Sequence, residues 1–180
     1  MKTKDLVLVS IFAALTAIGA FIKIPIPNVP FTLQFLFCAF AGMLLGAKLG
    51  ALSQILYVAM GLLGIPIFTE GGGLMYVVKP TFGYLIGFIV GAYLIGFISE
   101  RIKELTFIKA LGTTLAGLFF VYLFGVIHFY LIMNLYLGKT TSIGYVVYWG
   151  ALVCIGGDLL LSIIIAFISK KALKGLKVMI

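Results

Sequence analysis

Charged side chains are scarce in this sequence: Lys, Arg, Asp and Glu make up 10% of it, against about a quarter in ordinary soluble domains. Acids are rarer still, five beside thirteen Lys and Arg, and a chain so poor in charge cannot present a wetted globular surface. Histidine occurs once, at His128, and cysteine twice, at Cys38 and Cys154. One imidazole and two isolated thiols offer no metal-ligand spacing and no disulfide framework. Gly138-Lys139-Thr140 has the tail of a phosphate loop, but Met133 stands where its first glycine is required, so nucleotide hydrolysis by this motif is excluded. Ser53, Ser99 and Ser162 have no base near them in sequence, which leaves nucleophilic catalysis without support.

What fills the chain instead is apolar: 63% of its residues are hydrophobic. That is the composition of an integral membrane protein, and residues 5–22, 81–99 and 144–169 are continuously apolar rather than alternating, so the spans are helices and not barrel strands. At about 20 residues per span, the chain accommodates about six helices in a single domain, residues 1–180, with no room for a soluble catalytic domain. The expected spans are 5–23, 31–46, 49–63, 80–99, 107–136 and 144–169. The apolar block 33–63 breaks near Gly46-Ala47-Lys48-Leu49-Gly50 and reads as two short helices joined by a tight turn. The first run continues past its alanines to Phe21-Ile22, longer than a signal-peptide core, and is expected to be retained.

Charge placement orients these helices. With the N-terminus inside, Lys2, Lys4, Lys48, Arg101, Lys103, Lys109, Lys170, Lys171, Lys174 and Lys177 fall in the cytoplasm, leaving Lys23, Lys79 and Lys139 outside. Cytoplasmic loops carry the excess of Lys and Arg, so both termini are expected in the cytoplasm of a multi-pass protein of the cell membrane. The net charge of +8 then follows from topology, and dispersed over loop ends it forms no nucleic-acid patch.

Against this apolar background Asp158 stands alone, twelve residues before the next charge, Lys170. An acid at bilayer depth is costly and usually faces a cavity on a ligand or ion path; a structural hydrogen-bond post is the bland alternative. Small residues recur every fourth position, as in Gly83, Gly87 and Gly91, which lets helices approach closely. The pair Ala13 and Ala17 on the first helix could equally meet a second membrane protein. The external side holds the least helix-like sequence: 23–30, where Pro25, Pro27 and Pro30 each remove a donor, and 64–73, ending in Gly71, Gly72 and Gly73. Irregular backbone at a membrane surface is tolerated where it lines a cavity, so Pro27 and Gly71–Gly73 are read as lids over an outward-facing pocket.

These segments carry a resemblance. Ile-Pro-Ile-Pro at 24–27, Val-Pro-Phe-Thr-Leu-Gln at 29–34, Leu-Leu-Gly-Ala-Lys-Leu-Gly-Ala at 44–51, Gly-Leu-Leu-Gly-Ile-Pro-Ile-Phe at 61–68, Lys-Pro-Thr-Phe-Gly-Tyr at 79–84 and Gly-Gly-Asp-Leu-Leu at 156–160 run in the order of the BioY family, which the chain resembles over nearly its whole length. That resemblance implies a six-helix, biotin-binding membrane subunit of an energy-coupling-factor (ECF) importer. It works with a transmembrane coupling subunit and two cytoplasmic ATPases, so this chain is expected to bind biotin as cargo, with no cofactor and no enzyme activity of its own. It also implies that Ala13 and Ala17 dock on the coupling subunit.

Biotin offers two ureido N–H donors and a carbonyl, an apolar fused ring and a tail carboxylate. Asp158 suits the N–H pair, Thr32, Gln34 or Asn134 the carbonyl, and Tyr84, Phe35 or Tyr148 the rings. Each aromatic could equally fill space or sit in the interfacial belt. One position departs from the family: a lysine three residues after the aspartate is replaced by Leu161. Lys79 is the substitute expected to read the tail carboxylate, a snorkelling interfacial lysine being its bland reading. Without it, the cargo could instead be lipoate or a biotin precursor. A remote alternative is a membrane enzyme using Asp158 and His128.

Overall fold

Backbone polar groups in an apolar medium must be paired within their own segment, and each long apolar run accordingly folds as a helix in the computed structural model. The structure describes residues 2–179, with side chains described for 2–169, so the cationic side chains of Lys170, Lys171, Lys174 and Lys177 lie outside the described residues. Five helices are long and apolar enough to cross a membrane: α1 (Thr3–Phe21), α2 (Gln34–Leu62), α3 (Phe82–Arg101), α4 (Phe107–Tyr136) and α5 (Ile143–Ser169). The backbone of α5 continues helical to Met179.

The element α2 is two limbs, 34–45 and 47–62, joined at Gly46, whose φ of 82° is open to glycine and strained for other residues. A Cβ on Gly50 would lie 2.8 Å from the Cα of Gly42, whereas a straight helix holds residues so spaced about 12 Å apart. The limbs therefore fold back on each other. Glu100, at the end of α3, accepts from the Ala47 N–H at 3.0 Å, satisfying one of the donors exposed where the second limb starts.

Sequence neighbours pack in order, α1 on α2, α2 on α3, α3 on α4 and α4 on α5, and α5 returns to α2. Phe35, Cys38, Tyr57, Phe68, Phe88, Ile95 and Phe129 lie in the core. The outer faces are apolar as well: Leu6, Val7 and Ile11 of α1, Phe119 and Ile127 of α4, and Ile163 and Phe167 of α5 are all exposed. Apolar surface on both sides of a helix bundle is what a lipid environment selects.

Ala13 and Ala17 lie along α1. They are 0% and 8% exposed, on the face of α1 where the Thr16 hydroxyl accepts from Gln54 of α2 at 3.2 Å. In the isolated chain this stripe is packed beside α2.

Two long loops, 22–33 and 63–81, meet at one end of the bundle. The proline segment is bracketed by a minimal antiparallel hairpin, β1 (Lys23–Ile24) with β2 (Phe31–Thr32), registered Lys23 to Thr32. The second loop holds a Phe68–Gly71 bridge and a 3-10 turn, Leu74–Val78. Lys23 Nζ ties the loops together by donating to the Thr69 carbonyl at 2.6 Å.

Candidate functional site

The hairpin, the second loop and α2 to α5 line a recess that opens at the loop end of the bundle. Thr32 and Phe31 of β2 form one wall, Gln34 and Phe35 open α2 beneath them, and Thr81, Tyr84, Leu85 and Phe88 come from the start of α3. Val121 and Tyr122 of α4 face Cys154 and Asp158 of α5, and Thr69 and Tyr76 come from the second loop. The hairpin reaches α5 because Gly157 has no side chain: a Cβ there would run into the Phe31 ring.

Asp158 is 9% exposed and is the only acid on the cavity wall among the described residues. The Tyr122 hydroxyl donates to its Oδ2, and among the described residues Oδ1 accepts from no donor. Cys154, one helical turn earlier, faces the same way and donates weakly to the Val29 carbonyl at 3.6 Å. Tyr84 donates to the Gly150 carbonyl at 2.6 Å, in a π-helical turn of α5 (Tyr148–Leu152), and meets Tyr122 edge-on at 6.3 Å. Gln34 is oriented at both ends of its amide: Nε2 donates to the Tyr57 hydroxyl at 2.9 Å, and Oε1 accepts from Thr32 at 3.0 Å. Tyr57 in turn donates to the Ile67 carbonyl at 3.0 Å, linking this wall to the second loop. Such a site accommodates a small, mostly apolar body that presents a hydrogen-bond donor to a fixed carboxylate.

Of the residues singled out from sequence, Asp158, Tyr84, Thr32, Gln34 and Phe35 share this cavity. Three others do not line it. Asn134 is engaged in closing its own loop, donating to the Tyr130 carbonyl and the Thr141 hydroxyl at 3.0 Å and accepting from the Thr141 N–H at 2.9 Å. Tyr148 is 52% exposed and packs edge-on against Trp149. Lys79 stands outside, its Nζ paired with the Glu70 carboxylate at 2.9 Å. Pro27 and Gly71–Gly73 shape the loops without forming walls: the Pro27 carbonyl accepts from Val29, and Gly71 and Gly73 have φ of 109° and 96°. Leu161, 5% exposed, is packed in the bundle.

His128 is likewise away from Asp158. Its Nε2 lies 3.2 Å from the Lys79 carbonyl and its ring meets Phe82, so no Asp158–His128 pair exists to support an enzyme. Sequence reasoning missed Tyr122, Thr69, Tyr76 and Thr81. It passed over Cys154 as well, which alone among these carried a usable signal, its four-residue spacing from Asp158 on one helix.

Residues 1–178 match the BioY family. The chain belongs to the BioY family. A Lysinibacillus sphaericus protein named probable biotin transporter BioY is 43% identical over 173 residues, covering 96% of this chain and 88% of that protein. The biotin transporter BioY of Thermotoga maritima is 41% identical over 147 residues, covering 79% and 83%. A crystal structure of the S-component for biotin from an ECF-type ABC transporter superposes with a TM-score of 0.83 at 28% identity, over 97% of this chain and 95% of that one. The all-α architecture of this BioY-family chain is therefore that of a solved transporter subunit, and the chain is a multi-pass membrane protein.

Proposed function

We propose that this chain captures biotin at the outer membrane surface and delivers it for import as the S-component of an ECF-type transporter. The observation that carries the reading is the carboxylate of Asp158, the one charged side chain among the described residues of a mostly apolar cavity and held there by Tyr122, in a family whose relatives are named biotin transporters. An ionised carboxylate accepts and never donates, which matches a ureido N–H of biotin. Phe31, Phe35, Tyr84 and Phe88 offer ring faces and edges to its apolar fused rings. Gln34, oriented by Thr32 and Tyr57, offers its second amide N–H to the biotin carbonyl. Lys79, at the rim and on a flexible stem, is the cation for the tail carboxylate.

The hairpin geometry of α2 supports six membrane spans: five long helical elements, one of them folded back at Gly46. An even number of spans leaves both termini on one side, which the Lys and Arg excess assigns to the cytoplasm. The two loops over the cavity then face outward. Import against a gradient needs an energy source, and since the chain has no nucleotide-binding motif, a transmembrane coupling subunit and two cytoplasmic ATPases supply it.

A competition panel tests the cargo. Labelled biotin bound to the purified chain should be displaced by unlabelled biotin at far lower concentration than by lipoate or a biotin precursor. Displacement by lipoate at equal or lower concentration would reassign the cargo.

A further inference from the structure

Two lysines converge on residues 69–70 at the cavity mouth. Lys23 Nζ donates to the Thr69 carbonyl at 2.6 Å, and Lys79 Nζ donates to the Glu70 carbonyl at 3.2 Å and to its Oε2 at 2.9 Å. Lys79 Nζ also lies over the Tyr76 ring, 5.3 Å from its centroid. Thr69 and Tyr76 are cavity walls joined by a 2.8 Å hydrogen bond between their hydroxyls, so Lys79 sits one aromatic ring outside the cavity. Its backbone is pinned, the N–H donating to the Tyr76 carbonyl at 3.0 Å and the carbonyl meeting His128. Only the ammonium is left to choose a partner.

That choice has two sides. Lys23 and Lys79 bring two positive charges to the mouth, and Glu70 brings one negative charge, so the rim attracts a further anion. The Lys79–Glu70 pair is about half exposed, with side-chain accessibilities of 39% and 47%, and such pairs are weak enough to be exchanged. A ligand seated with its donors on Asp158 and its tail toward the mouth would present a carboxylate to this ammonium.

We infer that Glu70 and the ligand's tail carboxylate compete for Lys79, so that Glu70 tunes how strongly the site prefers an acid to its neutral analogue. The exchange also unfastens the Glu70 side chain from Lys79, while Lys23 keeps its hold on the Thr69 carbonyl. This inference rests on the biotin reading above and adds a specificity-determining residue to it.

The experiment measures affinities of the full purified chain for biotin and for biotinamide, which lacks the tail charge, and reads their ratio. Glu70→Gln removes the competitor and should raise the biotin preference about two- to fivefold, the range expected for an exposed ion pair. Lys79→Met should lower the preference. In the Lys79→Met background, Glu70→Gln should leave the ratio unchanged, since there is nothing left to compete for. A ratio unaltered by Glu70→Gln alone, or raised equally with and without Lys79, overturns the competition while leaving biotin binding intact. Failure of the parent chain to bind either ligand overturns the biotin reading and this inference together.

Discussion

Asp158→Asn separates a ligand-binding carboxylate from a structural one, and the structure dictates which way the new amide turns. Tyr122 donates to Oδ2 of Asp158, and its hydroxyl needs an acceptor there. In Asp158→Asn the amide oxygen takes that place, so the bundle keeps its internal hydrogen bond and the Nδ2 group is forced toward the cavity. Biotin would then find a donor facing its own donors. The change removes a charge-assisted hydrogen bond and leaves opposed N–H groups unsatisfied in a site only 9% exposed, a loss of about 2–4 kcal/mol. That corresponds to affinity falling about 30- to 1000-fold. Titration calorimetry on the purified variant reads the loss, with thermal melting in detergent as the folding control. An affinity within about twofold of the parent, in a chain that melts normally, would refute the assignment of Asp158 to the ureido edge.

The same geometry predicts a rescue. Adding Tyr122→Phe to Asp158→Asn frees the amide to flip its oxygen toward the ligand, so the double variant should bind biotin more tightly than Asp158→Asn alone; equal or weaker binding would mean that Tyr122 does not set the orientation. Ala13→Leu should destabilise the bundle by about 1–3 kcal/mol through overpacking at a site with no accessible surface, read as a lowered melting temperature. A variant that melts like the parent would show that Ala13 is not held tightly against α2. Tyr57→Phe deletes the hydroxyl joining Gln34 to the Ile67 carbonyl and should speed protease cleavage within 63–73, and unchanged cleavage would show that loop to be held without it.

The helices were legible because apolar runs long enough for a bilayer have no other way to pair their backbone. The break at 46–50 was legible for a related reason, glycines flanking a lysine inside an apolar block, and the chain turns at Gly46. Asp158 was legible because its cost demands a cavity. What stayed hidden depends on contacts between distant segments. Tyr122 is one of nine tyrosines, and nothing local separates it from those that pack or face lipid. Asn134 looked free to serve a ligand, but its own loop uses both ends of its amide. Small residues at Ala13 and Ala17 announce a close approach without naming the helix that approaches, which is α2. The carboxylate that the structure sets beside Lys79 is Glu70, nine residues back across a loop whose course follows from the fold.

Equilibrium binding of radiolabelled biotin to the purified chain, without ATP and without other subunits, tests the central claim most directly. The expected result is saturable binding of one biotin per chain below the micromolar range, lost in Asp158→Asn. Absence of saturable binding in that range, by a chain shown to be folded, would contradict it.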